Sequence, residues 1–468
     1  MADIISIPAH RLAALIRLGE LSPVEVVEAF LDRACAWSPK LNAFSDLYVD
    51  EARAAARDAH RALAAGVSVG PLHGVPIALK DAFDVAGKPT TAGSAHFRQR
   101  IAPRSARIVE RLRECGAIVI GKTRMVEFGL GAAGLNEQFG TPWNPCRMDA
   151  HYAPGGSSSG AAVAVAARLV PWALGTDTGG SARIPAAWCG VAGMKPTQSH
   201  IGMTGVAPLS PTLDVIGPIG RSAEDLACLF GALTGRPDES ALEATSTQTF
   251  DRVNRTTDAP WRRTLQGRRI GVLPAAELGG VDSEILGAYH STLDAFASSG
   301  AALVPVALPR PLQEYRVRTS AITFHEAYAL YGELAHDPAT QLDPAVRQRL
   351  LRASGYASAD YAATLAARGD FQQEFAALFA QVDALLTPST QNLPPLVAVA
   401  ANVDPPNAFT RFVNFLDLCA VSVPNGVTKA GFPTGLQIVC NSYSDATALD
   451  IAIAYQRGTG WHMQVPPL

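Results

Sequence analysis

Two glycine- and serine-rich blocks, set either side of an apolar stretch, constrain this chain more than any other feature. The first is Gly155-Gly-Ser-Ser-Ser-Gly160 and the second is Thr178-Gly-Gly-Ser181. Between them, Ser158 to about Leu169 is alanine-rich and predicts a helix whose start the serines cap; twelve residues at ~1.5 Å each give roughly 18 Å. Val170 to Thr176 predicts a strand of roughly 23 Å at ~3.3 Å per residue. A strand that runs back beside the helix returns Asp177 to Ser181 to the loop at Ser157, so two serines 24 positions apart can touch.

The residue types in these loops carry a chemistry. Glycine tolerates the dihedrals that aim successive backbone N–H groups at one point, and Thr178, Gly179, Gly180 and Ser181 can form such a nest for a developing oxyanion. A hydroxyl needs a base before it attacks an amide. Val75-Pro-Ile-Ala-Leu-Lys80 reads as a short buried strand ending in a lysine, and desolvation lowers a lysine pKa enough to leave neutral amine near pH 7. Asp81 is not expected to pair with Lys80, because adjacent strand residues face opposite ways.

The rest of the chain alternates helical and strand-like segments. Ser22-Pro-Val-Glu25 is a capping box with proline at the first helical position, opening a helix expected to end near Trp37, before Ser38-Pro39. Asp50 to Ala65 predicts a second helix, closed by Gly66. Ser105 to Cys115 predicts a serine-capped helix, followed by a strand at Ala117 to Ile120. Further on, strands are expected at Arg269 to Leu273 and Ala301 to Val306, around a helix at Asp282 to Ser299. A helical insert is expected at about Pro311 to Val382, and a linker or surface excursion at Ser246 to Arg263. Such alternation argues for an α/β fold, a mostly parallel or mixed sheet covered by helices. The organisation expected is an N-terminal helical part over 1–70, a core carrying the two blocks over 71–240, and a C-terminal half over 264–468.

Composition removes several function classes. The 468 residues carry a net charge of −3, so nucleic acid is not expected as a partner. Seven cysteines with no CxxC pair disfavour zinc ribbons and disulfide frameworks, and reduced thiols fit a cytoplasmic protein. The N-terminus lacks the basic and unbroken apolar regions of a signal peptide. The longest apolar stretch, Ala161 to Gly175, is interrupted by Arg168 and Pro171 and is too short for the roughly 20 residues of a membrane span, so no membrane insertion is expected. No metal or other cofactor is expected, since His325-Glu326 lacks the second histidine of HExxH. Gly156-Ser-Ser-Ser-Gly160 matches GxSxG, which would make Ser158 the nucleophile, but the 148–154 stretch before it makes a poor strand. Gly129-Leu-Gly-Ala-Ala-Gly134 matches GxGxxG without the strand that a dinucleotide site needs, and is read as a pocket-wall loop. His73 is read as a packed or turn histidine.

Taken together, these blocks resemble the amidase signature family. The resemblance runs through Gly74-Val-Pro-Ile-Ala-Leu-Lys-Asp81, Gly155 to Gly160, Gly175 to Ala186, Cys189-Gly-Val-Ala-Gly-Met-Lys-Pro-Thr197, Pro208 to Asp214 and Gly435-Leu-Gln-Ile438. It implies one α/β domain around a mixed, twisted sheet of about eleven strands. It implies that Ser181 is the nucleophile that forms an acyl-enzyme. Ser157 becomes the bridging serine, following a cis peptide bond after Gly156, and Lys80 the general base. The backbone amides of Thr178, Gly179, Gly180 and Ser181 become the oxyanion hole, with Asp177 and Arg183 supporting the loop. Ala161 and Gln198-Ser-His-Ile201 depart from the family pattern, away from these three side chains.

The resemblance implies hydrolysis of a small-molecule carboxylic acid amide to the acid and ammonia or an amine. The glutaminase subunit of glutamyl-tRNA(Gln) amidotransferase shares this triad and is the main alternative. Its usual Asp-Glu-Phe-Ala-Met-Gly is Val126-Glu-Phe-Gly-Leu-Gly131 here, which places a free-standing amidase, alone or as a homodimer, first. The block Phe409 to Pro424 resembles amidases of urea derivatives such as allophanate, a second alternative. The pocket wall is expected to include Met125 to Leu135, with Met125, Phe128, Gly129 and Leu130, the helical insert, and Phe409 to Asp417 with Phe412 and Phe415.

Overall fold

Period-two burial along the strands sets which side chains reach the site. The computed structural model describes residues 3–67, 69–235, 265–355 and 358–468, and forms one α/β domain around a single mixed sheet. Numbered along the chain, its eleven strands lie in the order β1 (Phe44–Leu47), β3 (Ile118–Thr123), β2 (Pro76–Lys80), β4 (Trp172–Asp177), β6 (Val215–Gly220), β5 (Ala192–Lys195), β10 (Cys419–Val427), β11 (Pro433–Cys440), β9 (Ala384–Pro388), β7 (Arg269–Val272) and β8 (Ala302–Pro305). β2 pairs in parallel with both β3 and β4, while β4, β6, β5, β10, β11 and β9 pair antiparallel in succession. The linker expected at Ser246 to Arg263 lies outside the described residues.

Alternate residues of β2 and β4 serve two different cores. Ile77, Leu79, Trp172 and Leu174 pack with Val109 and Leu112 of the helix Arg107–Glu114. Ala78 and Ala173 pack on the other side with Ala162 and Val165 of the helix Ser159–Ala166. Lys80 shares the parity of Ala78, so it faces the layer that contains that helix. The helix is buried at every position, which explains why alanine, valine and glycine fill it on all sides.

Several boundaries differ from expectation. The capping box at Ser22 forms, with Val24 N donating to Ser22 Oγ (3.2 Å) and Ser22 N to Glu25 Oε2 (3.2 Å). The helix it opens runs past Pro39 to Leu41, because a proline near the end removes only one bond while Leu41 becomes fully buried. It stops at Asn42, which adopts a left-handed φ of 50°. The expected serine cap at Ser105 does not form: the helix starts at Arg107, and Ser105 Oγ instead accepts the Ala86 N–H at 3.0 Å. The helix after the first glycine block ends at Ala166 rather than Leu169, and the returning strand begins at Trp172. The helical insert comprises Leu312–His336, Pro344–Ala353 and Ser358–Ala376.

Candidate active site

The site is assembled where β2, β4 and the first glycine block end together. Lys80, the last residue of β2, is fully buried, and its Nζ donates to Ser157 Oγ and to Thr176 Oγ1, both at 2.7 Å. The peptide bond between Gly156 and Ser157 is cis. The two blocks are tied by backbone, with Ser158 N donating to the Ser181 carbonyl at 3.1 Å. Ser158 Oγ donates to the Thr176 carbonyl (3.1 Å) and accepts the Thr176 N–H (3.3 Å), so it splices its loop to β4. Ser181 is 8% exposed and lines a cavity of about 120 Å³.

Burial dominates the electrostatics of Lys80. It lowers the amine from its ordinary 10.5 to about 7, although the carboxylates of Asp214 and, more weakly, Asp177 pull the other way. Asp81 belongs elsewhere, held by Lys122 Nζ at 3.1 Å. Burial also pushes Asp214 up to about 6, while Thr178 Oγ1 (2.5 Å) and the amides of Leu209 (2.8 Å) and Ser210 (2.9 Å) donate to its carboxylate.

Asp177 and Arg183 form a buried clamp beneath the Ser181 loop. Asp177 Oδ1 accepts Gly180 N (2.8 Å) and Arg183 Nη2 (2.9 Å), and Oδ2 accepts Ala182 N (3.2 Å) and Arg183 Nε (3.0 Å). Burial alone would raise this carboxyl, but Arg183, Asn414 and the Gly180 amide hold it well below the usual range. Arg183 also donates to the Thr410 carbonyl (3.2 Å), Gln437 Oε1 (2.5 Å) and Asn414 Oδ1 (2.6 Å). Thr410 Oγ1 donates to the Gly179 carbonyl at 2.7 Å. One expectation changes here: the Gly180 N–H is engaged by Asp177, which leaves the amides of Thr178, Gly179 and Ser181 as candidate oxyanion donors.

The cavity is walled by Gly129 and Leu130 on one side, by Thr178, Gly179 and Ser181 on another, and by Thr323, Phe324, Arg349, Asn407 and Arg411 from the C-terminal half. Met125 is not part of it: its side chain is buried in the core with Leu79 and Trp172. Phe409, Phe412 and Phe415 are likewise core residues, clustered with Tyr315 and Phe375. His73 packs away from the cavity, with Nε2 at 2.9 Å from the Ala59 carbonyl. Sequence reasoning missed Thr176, whose strand-forming residue type hides its contact with Lys80, and Asn407, which sits in no motif; Arg349 and Arg411 come from the helical insert and the Phe409 to Asp417 segment expected to wall the pocket, although neither side chain was singled out. Among the described residues, no group of three or more His, Cys, Asp or Glu side chains could hold a metal ion, and no helix is long and apolar enough to cross a membrane.

Residues 25–449 match the family model described as Amidase. The A-subunit of glutamyl-tRNA(Gln) amidotransferase from Geobacter sp. (strain M21) is 34% identical, over 100% of both chains. The solved peptide amidase from Stenotrophomonas maltophilia superposes with a TM-score of 0.81 and is 29% identical, covering 98% of each chain. The A-subunit of glutamyl-tRNA(Gln) amidotransferase from Thermotoga maritima superposes with a TM-score of 0.80 at 25% identity, covering 100% of this chain and 98% of that one. A family match over nearly the whole chain, joined to full-length relatives that are amidases and amidotransferases, makes this chain an enzyme of the amidase signature family.

Proposed function

We propose that this chain cleaves a primary carboxamide by acyl transfer through Ser181. The observation that carries the reading is a fully buried lysine, lowered to about 7, that donates at 2.7 Å to Ser157, whose neighbour Ser158 donates its N–H to the Ser181 carbonyl. Neutral Lys80 takes a proton through Ser157 as Ser181 Oγ attacks the carbonyl carbon. The C–O bond forms, and the oxyanion is met by the loop amides of Thr178, Gly179 and Ser181. The proton returns to nitrogen as the C–N bond breaks and ammonia leaves. Water then attacks the ester by the same relay, and the carboxylic acid is released.

The curated relatives favour a finer reading, in which the carboxamide is that of glutamine and the chain is the glutaminase subunit of an amidotransferase. Their full-length similarity outweighs the departure at Val126 to Gly131. A free-standing hydrolase of small amides is the second reading, favoured by one observation: among the described residues that line the cavity there is no aspartate or glutamate to meet the α-ammonium of glutamine.

Ammonia and acid release by the purified chain tests both. Ser181→Ala abolishes turnover, and Lys80→Ala and Ser157→Ala each lower it by about 10²- to 10⁴-fold. Turnover near the unsubstituted rate in any of the three refutes the role given to that residue. Glutamine cleaved faster than glutaramate, which lacks the α-amino group, supports the glutaminase reading; the reverse order supports the free-standing one.

A further inference from the structure

The carboxylate of Glu326, half of an incomplete HExxH in the sequence, is engaged by the protein's own donors. It projects from the insert helix Leu312–His336 and is 8% exposed. Oε2 accepts Ser210 Oγ at 2.5 Å and the Thr212 N–H at 3.1 Å. Oε1 accepts Thr212 Oγ1 and, at 2.8 Å, the Tyr361 hydroxyl. A carboxylate offers about four acceptor sites, and these four donors, all neutral, meet it. Three of them come from Ser210 and Thr212, in the irregular stretch that leads into β6. The same helix holds that stretch a second time through Tyr331, whose hydroxyl donates to the Pro208 carbonyl at 2.5 Å.

The stretch from Pro208 to Asp214 meets the reacting groups in two ways. Leu209 lines the cavity, and a Cβ on Gly129 would lie 3.5 Å from both Leu209 Cδ2 and Ser157 Oγ. Asp214 ends the stretch, and its carboxylate accepts Thr178 Oγ1, which ties down the residue whose amide is a candidate oxyanion donor. Irregular backbone has no ladder to fix it, so its position depends on the side chains that receive its donors. We propose that Glu326 is a positioning residue for the acyl transfer, holding Ser210 and Thr212 so that Asp214 sets the Thr178 amide at the oxyanion. The proposal rests on the acyl-transfer reading and adds to it a residue that does not itself line the cavity. The amide it positions meets charge that develops in the transition state, so losing Glu326 lowers kcat and leaves KM nearly unchanged.

The test measures kcat and KM for ammonia release from pentanamide, glutaramate or glutamine, whichever is cleaved fastest. Glu326→Gln keeps the side-chain volume but replaces one acceptor oxygen by a donor. We expect it to lower kcat by about 10- to 100-fold with KM within about twofold, as a small misplacement near the chemistry does. Thr178→Val cuts the tie to Asp214 and keeps the backbone amide. In that background Glu326→Gln should lower kcat by no more than about twofold further, because both changes break one path. A residue that only stabilised the fold would show the same loss in both backgrounds. If Glu326→Gln melts below the assay temperature, Ser210→Ala with Thr212→Val frees the stretch from its other side, and the same kcat loss and the same dependence on Thr178 are expected. Unchanged kcat in the variant, or losses that multiply in full with Thr178→Val, overturns the proposal and leaves the acyl-transfer reading standing where Ser181→Ala is inactive. Ammonia release by Ser181→Ala at the unsubstituted rate overturns both.

Discussion

Because Lys80 accepts a proton only when uncharged, the rate of amide cleavage should follow its neutral fraction. Its amine is lowered to about 7 by complete burial, against an ordinary value of 10.5. A group titrating there is about one-tenth neutral at pH 6, about half at pH 7 and about nine-tenths at pH 8. Turnover of pentanamide, which does not titrate in this range, should therefore fall about tenfold from pH 8 to pH 6. Asp214 modifies the limb. Its carboxyl is pushed up to about 6 by burial, so it loses charge just as the lysine gains it. Its negative field raises Lys80, and protonating it removes that support, which makes the acid limb shallower than a single titration. Asp214→Asn should accordingly shift the midpoint to lower pH. Initial ammonia release in mixed buffers of constant ionic strength, from pH 5 to pH 9, measures both. A rate independent of pH between 6 and 8, or an Asp214→Asn midpoint at or above the original, would refute the assignment of a neutral lysine base. The same shift has a stability counterpart with a definite sign. A lysine whose folded value lies below its unfolded value destabilises the fold at pH below about 7, and that cost fades as pH rises towards 10.5.

Arg183→Leu leaves Asp177 buried without its cation and should cost about 3–5 kcal/mol, read as a lowered denaturation midpoint. Adding Asp177→Asn to that variant should recover part of the loss, and no recovery would argue against an uncompensated charge as the cause. Gly180→Ala should abolish activity and destabilise by about 1–3 kcal/mol, since φ is +118° and the new Cβ would collide with Thr410 Oγ1. Gly287→Ala, inside the helix Ser283–Ser298 with nothing within 4 Å of the new atom, should instead stabilise by about 0.5–1 kcal/mol and leave activity unchanged. Thermal melts of the two glycine variants separate these outcomes, and similar melts for both would refute the argument.

The parts of the fold that depend on local chemistry were legible in the sequence. The capping box at Ser22 and Glu25, and the helix and returning strand that bring the two glycine blocks together, follow from residue types and spacing. Lys80 stood out because a charge ends an apolar strand, and Asp81 could be set aside by parity alone. Local signals misled where a tertiary contact outweighed them: Pro39 did not end its helix once Leu41 was buried, and Ser105 took the Ala86 amide in place of a cap. Met125 reads as pocket wall in the chain but turns into the core. Thr176, Arg349, Asn407 and Arg411 were beyond reach for a different reason. Thr176 and Arg411 sit inside blocks whose resemblance gives no role to those side chains, Arg349 and Asn407 sit outside any block, and only the register of distant elements brings them together near Ser181.

Arg183 is held by Thr410, Asn414 and Gln437, all of which come more than 220 positions later in the chain. On the ribosome, Lys80, Ser157 and Ser181 have therefore all been synthesised well before the side chains that brace the Ser181 loop exist. The frame around the Ser181 loop is therefore completed late in synthesis, so a nascent chain carries Lys80, Ser157 and Ser181 without the side chains that hold Arg183 in place.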